Sequence, residues 1–456
     1  MNESETTNSE YNRRDFLKGG SMATLMAMMG GVELMAQPVA EGKLAAPSDG
    51  PKVKVAVIGL GAWGREILDQ LGRLPQAEIV AICDNYSELV RRSSSKAPGA
   101  AQLEDYRAVL ANKDIQAVII ATGTHQHKAI ALEALKVGKH VYCEAPLAHT
   151  IEEARAIALA ARDAVGQVFQ PGLQMRSDPQ RHFLHPFIHS GALGKSIAAR
   201  AQWHKKSSWR AASPNADREK EINWRLNRAT ASGLVGEIGI HALDQAGWFL
   251  NLDPVAVTGF GTNMLWKDDG REVPDTVQVV IEYAGGLRMS YSASLASSFE
   301  AEYELLHGSD ATVMMRDGKA WMFKESDSPL LGWEVYARKD TFYKETGIAL
   351  KAGGSKQAAL GTNASEVAAN PFAPLYYSLE SFIGNCGEIT AAVEDFTASF
   401  GLGDKKALAE SLATLKLQHA ATFREGYAAT VLAIKANEAV LKGSRLELKK
   451  EIFELT

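Results

Sequence analysis

Two groups of residues in this chain have the types and spacing that chemistry requires. The first is Gly59-Leu60-Gly61-Ala62-Trp63-Gly64, a Gly-x-Gly-x-x-Gly turn, with Asp84 twenty residues beyond Gly64. In such a turn the first glycine permits a tight bend and the second lets backbone N–H groups approach a pyrophosphate. The third lets helix and strand pack closely. An acid about twenty residues on meets the hydroxyls of an adenosine ribose. Asp84 is followed by Asn85 and Tyr86 rather than an arginine, so it would repel a 2′-phosphate, and NAD is expected over NADP. Gly59, Gly61, Ala62, Trp63, Gly64 and Asp84 are the expected cofactor-binding residues. The second group is Glu237, His241 and Asp244, with Trp248. On a helix they fall at i, i+4, i+7 and i+11, within one stripe, while Leu243, Ala246 and Leu250 lie opposite. Polar groups on one stripe of an apolar, glycine-rich segment suit proton transfer better than a solvated face. Histidine, with its near-neutral pKa, is the natural acid/base. His241 is expected to face substrate and Glu237 to assist it, with Asp244 orienting the imidazole or capping local backbone.

The elements that must position these groups follow from hydrophobic patterning. The run Val53 to Ile58 reads as a buried parallel strand entering the turn, and Glu66 to Leu74 carries a helical pattern. Further strands are expected at Glu78 to Cys83, Asp114 to Ala121 and His140 to Cys143. Helices are expected at Lys128 to Val137, capped by Gly138, and at Ile151 to Ala164. From Ser196 the pattern changes to strand-like runs at Ser196 to Trp203, Val255 to Asn263, Val277 to Tyr283, Leu287 to Leu295, Glu302 to His307 and Ala311 to Arg316, with turn residues between them. Tyr343 to Pro374, rich in Ala, Gly, Ser and Asn, reads as an irregular excursion. Helices are expected again at Tyr377 to Phe382 and Lys405 to Ala439. The fold class is α/β: an N-terminal Rossmann dinucleotide-binding domain, then a C-terminal α+β domain with a large, mostly antiparallel sheet.

At 456 residues the chain is long enough for two domains with sizeable cores. Its 46% hydrophobic and 23% charged content is ordinary for a soluble globular protein. A net charge of -5 and pI near 6.2 argue against nucleic-acid or anionic-membrane binding. Cys83, Cys143 and Cys386 form neither a disulfide framework nor a metal-ligand spacing, and no metal is expected. Near the start, Asn12-Arg13-Arg14-Asp15-Phe16-Leu17-Lys18 precedes a weakly apolar segment to Ala36 and resembles a twin-arginine export signal. The expected division is 1–46 signal and linker, 47–170 NAD-binding domain, and 171–456 substrate and oligomerisation domain. Export by this route carries folded proteins to the periplasm or beyond, where no pool of free NAD exists. A cofactor there must be held tightly, and its redox state restored within each cycle.

The order Thr122-Gly123-Thr124-His125-Gln126-His127, then Glu144-Ala145-Pro146-Leu147, resembles the glucose–fructose oxidoreductase, inositol dehydrogenase and MocA family. The likeness continues through Gly172 to Arg176, Gly191 to Lys195, Gly236 to Asp244 and Gly426 to Leu448. The family's Thr-Pro-x-x-x-His segment lies beside the nicotinamide; Thr122 and His127 match it, with Gly123 replacing the proline. The family's Glu-Lys-Pro keeps Glu144 and Pro146 here but has Ala145 where the lysine touches nicotinamide ribose and reacting hydroxyl. Alanine cannot relay a proton. The resemblance therefore adds Thr122, His127, Glu144 and Pro146 to the cofactor set. It makes His241 the acid/base, with Glu237 replacing an aspartate. Arg176, with Gln174, matches a Gln-x-Arg pattern. Arg176, Lys205, Trp209 and Trp224 are the substrate-contact candidates, the tryptophans as a sugar platform beside Arg225.

The resulting expectation is an exported NAD-dependent oxidoreductase acting on a sugar, glycoside or cyclic polyol, as a homo-oligomer without membrane integration. One alternative is a redox-neutral enzyme that oxidises a glycoside transiently, eliminates the leaving group and returns the hydride. Another is a non-catalytic binding homologue.

Overall fold

The computed structural model describes residues 52–335, 337, 339–342, 345–350, 373–401 and 404–455. The twin-arginine segment and residues 343–344 and 351–372 of the excursion lie outside the described residues.

The first sheet contains β1 (Val53–Ile58), β2 (Ala77–Cys83), β3 (Ala101–Leu103), β4 (Ala117–Ile120), β5 (His140–Cys143) and β6 (Phe169–Pro171). All are parallel, in the order β3-β2-β1-β4-β5-β6. Their apolar runs are continuous because both faces are covered. On β1, Val55 and Val57 pack against Ile67 and Leu71 of the helix Ala62–Leu71 and against Leu379 and Phe382 of Pro374–Phe400. Ala56 and Ile58 face the other way, toward Ile130, Ile157, Tyr427 and Val431. The long helix Pro374–Phe400, foreseen only as the short stretch to Phe382, thus covers one face of the first sheet from near the far end of the chain.

The second sheet has ten strands. They are β7 (Ser196–His204), β8 (Pro254–Thr262), β9 (Thr276–Tyr283), β10 (Arg288–Ser294), β11 (Glu302–Gly308), β12 (Ala311–Arg316), β13 (Lys319–Lys324), β14 (Lys339–Phe342), β15 (Glu345–Leu350) and β16 (Leu446–Glu447). Their order is β14-β15-β13-β12-β11-β7-β10-β9-β8-β16, with β7 and β10 parallel and the other neighbours antiparallel. Alternation on β9 buries Val277, Val279, Ile281 and Tyr283 against the helices Ile240–Leu250 and Phe423–Lys442, leaving Gln278 and Val280 outside.

Two expectations are corrected here. Residues 345–350 are not irregular: β15 pairs with β13 and β14, burying Ile348 and Leu350 in the sheet's core. The helix expected from Lys405 to Ala439 is two helices, Lys405–Leu412 and Phe423–Lys442. Thr422 and Glu425 form a capping box that starts the second. Asn385 pins the connection by exchanging two hydrogen bonds with the Gln418 backbone, at 2.7 and 3.1 Å.

Candidate active site

The glycine turn performs three separate tasks. Gly59 adopts φ 97°, and a Cβ there would come within 2.6 Å of the Ala121 carbonyl group. A Cβ at Gly64 would collide with the Gly59 oxygen, so the Ala62–Leu71 helix can pack against β1 only through glycine. A Cβ at Gly61 would meet nothing within 4 Å. That position opens into a cavity of about 600 Å³, lined by Gly59, Gly61, Ala62, Trp63 and Asp84 among others. Asp84 receives the Leu60 N–H at 2.8 Å and the Tyr86 N–H at 2.9 Å, bracing the turn against the loop after β2. These residues fit a dinucleotide. The helix N-terminus offers N–H groups to phosphates, Gly61 leaves room for them, and an acid stands at the end of β2.

Opposite, Thr122, Gly123, His125 and Gln126 line the same cavity. His127 is placed differently from the expectation. It is buried behind this wall, with Nδ1 2.9 Å from the Pro146 carbonyl and Nε2 3.2 Å from the Thr122 carbonyl. Burial pushes its pKa down to about 4. His127 thus joins the Thr122 turn to the Pro146 turn rather than lining the cavity. Glu144 is likewise buried, against Gly172. Burial pushes its carboxyl up to about 7, opposed by the Trp63 side chain and Ala145 N–H nearby and by the Arg225 charge. Its neighbour Ala145 packs onto a small cluster of Leu173, Ile240, Ala421, Ala429 and Ala433.

The polar stripe on the second domain is rearranged. Val235–Gly239 is a π turn leading into the helix Ile240–Leu250, which breaks the 3.6-residue register assumed for the stripe. Glu237 is buried and spends both oxygens elsewhere: it accepts the Thr124 hydroxyl at 2.9 Å and the Ser232 N–H at 2.8 Å. It therefore ties the two domains together at the cavity wall and does not pair with His241. Asp244 does not orient the imidazole either. It forms a buried two-pronged ion pair with Arg176, at 2.8 and 2.9 Å, and the Arg176 guanidinium lies 5.2 Å above the Trp248 ring. Burial pushes Asp244's carboxyl up while the arginine opposes it. His241 is the second residue of the helix, next to Ile240 of the cluster that holds Ala145, and is not among the residues that line the cavity. Among the described residues no side-chain hydrogen bond or ion pair engages it, and burial pushes its pKa down to about 4.

The substrate-contact candidates divide. Arg176 is committed to Asp244. Lys205 is exposed just beyond β7, its backbone N–H bonded to the Ser294 carbonyl at 2.9 Å. Trp224 lines the dinucleotide cavity, and the Arg225 guanidinium lies 4.9 Å from its ring centre and 5.7 Å from that of Trp209. His125, Arg218, Glu221, Ile222 and Arg225 also line the cavity and were not singled out as cofactor residues. No short-range pattern marks them. Arg218 meets Asn85 across 133 positions of sequence.

A glycine-turn cleft on a parallel sheet, joined to a second domain carrying an uncommitted histidine, defines an NAD-binding oxidoreductase architecture. Models of one family match both domains in order: its oxidoreductase, NAD-binding Rossmann fold over residues 53–172 and its GFO/IDH/MocA C-terminal domain over residues 184–314. This chain belongs to that Gfo/Idh/MocA oxidoreductase family. It is similar to inositol 2-dehydrogenase of Rubrobacter xylanophilus, with 30% identity over 259 residues, 56% of this chain and 68% of that protein. It is also similar to levoglucosan dehydrogenase of Pseudarthrobacter phenanthrenivorans, with 27% identity over 263 residues, 53% of this chain and 65% of that protein. A further relative is 2,7-anhydro-N-acetylneuraminate hydratase of Escherichia coli, 22% identical over 264 residues, 57% of this chain and 67% of that protein. A solved structure of levoglucosan dehydrogenase with NADH and L-sorbose shares the fold. Its TM-score is 0.64 at 20% identity, covering 88% of this chain and 99% of that one.

Proposed function

We propose that this chain is an exported oxidoreductase that moves a hydride between NAD and a C–H(OH) group of a sugar, glycoside or cyclic polyol. When bound, NAD supplies the hydride acceptor and donor. The glycine turn and Asp84 hold its pyrophosphate and ribose. His241 takes the hydroxyl proton: burial keeps the imidazole neutral near pH 7, and its ring nitrogens are free of other side chains among the described residues. Glu237, by holding Thr124, sets the second domain against the cavity wall. The observation that carries the reading is the cleft itself, built by the glycine turn and closed by residues of the second domain. The names of the inositol and levoglucosan relatives suggest the substrate class. The test is a panel of myo-inositol, levoglucosan, free sugars and nitrophenyl glycosides, followed by nicotinamide absorbance. Reduction with one panel class supports the reading. A chain with NAD bound, inert to the whole panel, argues for the binding homologue.

A redox-neutral cycle is favoured by one observation: Ala145 presents a methyl group to an apolar cluster and has no ammonium for proton relay. In that cycle oxidation of one hydroxyl makes the adjacent C–H acidic, and the leaving group departs as its alcohol. Water adds, and the hydride returns. A relative named as a hydratase fits this chemistry. Nitrophenol release without net nicotinamide change would select it. Export rests on Arg13 and Arg14. Lysine at both positions should leave folded, NAD-containing protein in the cytoplasm, and undiminished export of that variant refutes this part of the proposal.

A further inference from the structure

One wall of the dinucleotide cavity belongs to the second domain. Arg218, Glu221 and Ile222 of the helix Ala216–Ile222, with Trp224 and Arg225 of the turn Trp224–Leu226, line the same space as Gly59, Gly61 and Asp84. The segment has a fixed base. Asn215 caps its helix by accepting the Arg218 N–H at 2.9 Å. Asn223 exchanges two hydrogen bonds with the Ala211 backbone, at 2.8 and 3.1 Å. Thr230 donates to the Trp224 carbonyl at 2.6 Å, and the Glu272 N–H to the Leu226 carbonyl at 2.8 Å.

From that base it reaches both ends of the cleft. At the end marked by Asp84, the Arg218 Nη1 donates to the Asn85 side-chain carbonyl at 3.2 Å, and the guanidinium lies 4.4 Å over the Tyr86 ring. Arg218 also pairs with Glu221, yet its Nε–H is buried with no partner among the described residues. A buried N–H rarely goes unmatched, and a small shift of the Arg218 side chain into the cavity would let an oxygen of a bound ribose or phosphate complete it. At the other end, Trp224 closes onto Gly123. A Cβ at Gly123 would stand 3.2 Å from Trp224 Cδ2 and 2.9 Å from His125 Cε1, so glycine at 123 lets both rings sit close against the wall without shifting.

We propose that residues 216–226 are a clasp by which the second domain holds the dinucleotide as a resident group, with Arg218 as its latch at the adenosine end. The proposal rests on the dinucleotide reading above and deepens it. A resident dinucleotide is not exchanged for a fresh one, so the pocket must reset itself.

The test uses the full chain purified without added nucleotide and measures exchange of bound NAD with radiolabelled NAD, with no sugar present. The parent chain should retain its NAD through gel filtration and exchange it over hours. Arg218→Ala should speed release about 10- to 100-fold, the size expected for losing charge-assisted contacts. Arg218→Lys, which keeps the charge but not the plane over Tyr86, should fall between. Trp224→Ala should also speed release. Arg445→Ala, which removes an exposed ion pair to Glu282, should leave the rate unchanged. Melting temperatures of the variants separate loosened binding from unfolding. Exchange in the parent chain within seconds overturns the clasp, as does a release rate unaffected by both Arg218→Ala and Trp224→Ala, while hydride transfer to sugars can still stand. A parent chain that binds no NAD overturns both.

Discussion

His241 and Glu237 are four positions apart yet have opposite attachments, and substitution should separate them. His241→Ala should keep its NAD, because the residue lies on the second domain and outside the phosphate-binding turn. It should lose about 10²–10⁴-fold in turnover on whichever panel substrate the parent chain accepts. Full activity in that variant, measured at saturating substrate, removes the histidine from the mechanism. Glu237→Ala should show itself in stability instead. It leaves the Ser232 N–H and the Thr124 hydroxyl buried and unmatched, at a cost of about 1–3 kcal/mol. Urea unfolding checks this, and a variant as stable as the parent chain would show that the contact between domains holds nothing.

At the scale of elements, the π turn Val235–Gly239 leads into the helix that carries His241, and the sheet beneath requires glycine at its last position. A Cβ at Gly239 would come 2.8 Å from Cε1 of Tyr291, a buried ring on β10. Overpacking of this kind typically costs about 1–3 kcal/mol, part of it relieved by moving the helix away from the sheet. Gly239→Ala should therefore lower the urea midpoint and weaken turnover together while bound NAD stays at parent level. Unchanged turnover would mean that the helix can shift without disturbing the site.

Across the whole molecule, the helix Pro374–Phe400 is joined to the first sheet by a histidine. His140 on β5 accepts the Val168 N–H on Nδ1 at 2.9 Å, and its Nε2 lies 3.0 Å from the Thr390 hydroxyl. Burial pushes its pKa down to about 4. Protonation of Nδ1 would also break the Val168 bond. An unfolded histidine titrates near 6.5, so the unfolded chain binds the extra proton first as pH falls. Stability from this group is complete above about pH 6.5 and lost toward pH 4, by about 3 kcal/mol. Glu144, raised to about 7, acts in the opposite sense, its contribution fading as pH rises from about 4.5 to 7. Because His127 and His241 shift in the same sense as His140 and Glu144 in the opposite one, His140 is isolated by difference. Between pH 7 and pH 4 the urea midpoint of the parent chain should fall relative to that of His140→Gln. A slope that persists undiminished in that variant would place the acid sensitivity elsewhere.

The sequence by itself determined what is local. Three glycines and an acid at the right spacing, a β-branched run before them and a helical period after them specify the dinucleotide turn. The alternation from Val277 to Tyr283 specifies a half-buried strand, because side-chain direction follows from chain period alone. What the tertiary structure decided is who partners whom. Glu237 and Asp244 looked like a histidine's attendants because a regular helix would stack them. A π turn shifted Glu237 out of register, whereas Asp244 kept its place on the helix of His241; Thr124 and Arg176, brought in from distant segments, took their oxygens. The motif makes His127 a cofactor residue, yet it is a brace between two loops, since only the packed sheet shows which side of the Thr122 turn is buried. Arg218 carried no signal at all. It meets Asn85 across 133 positions, with Tyr86 next to it, a distance over which periodicity and spacing carry no information and only the folded chain does.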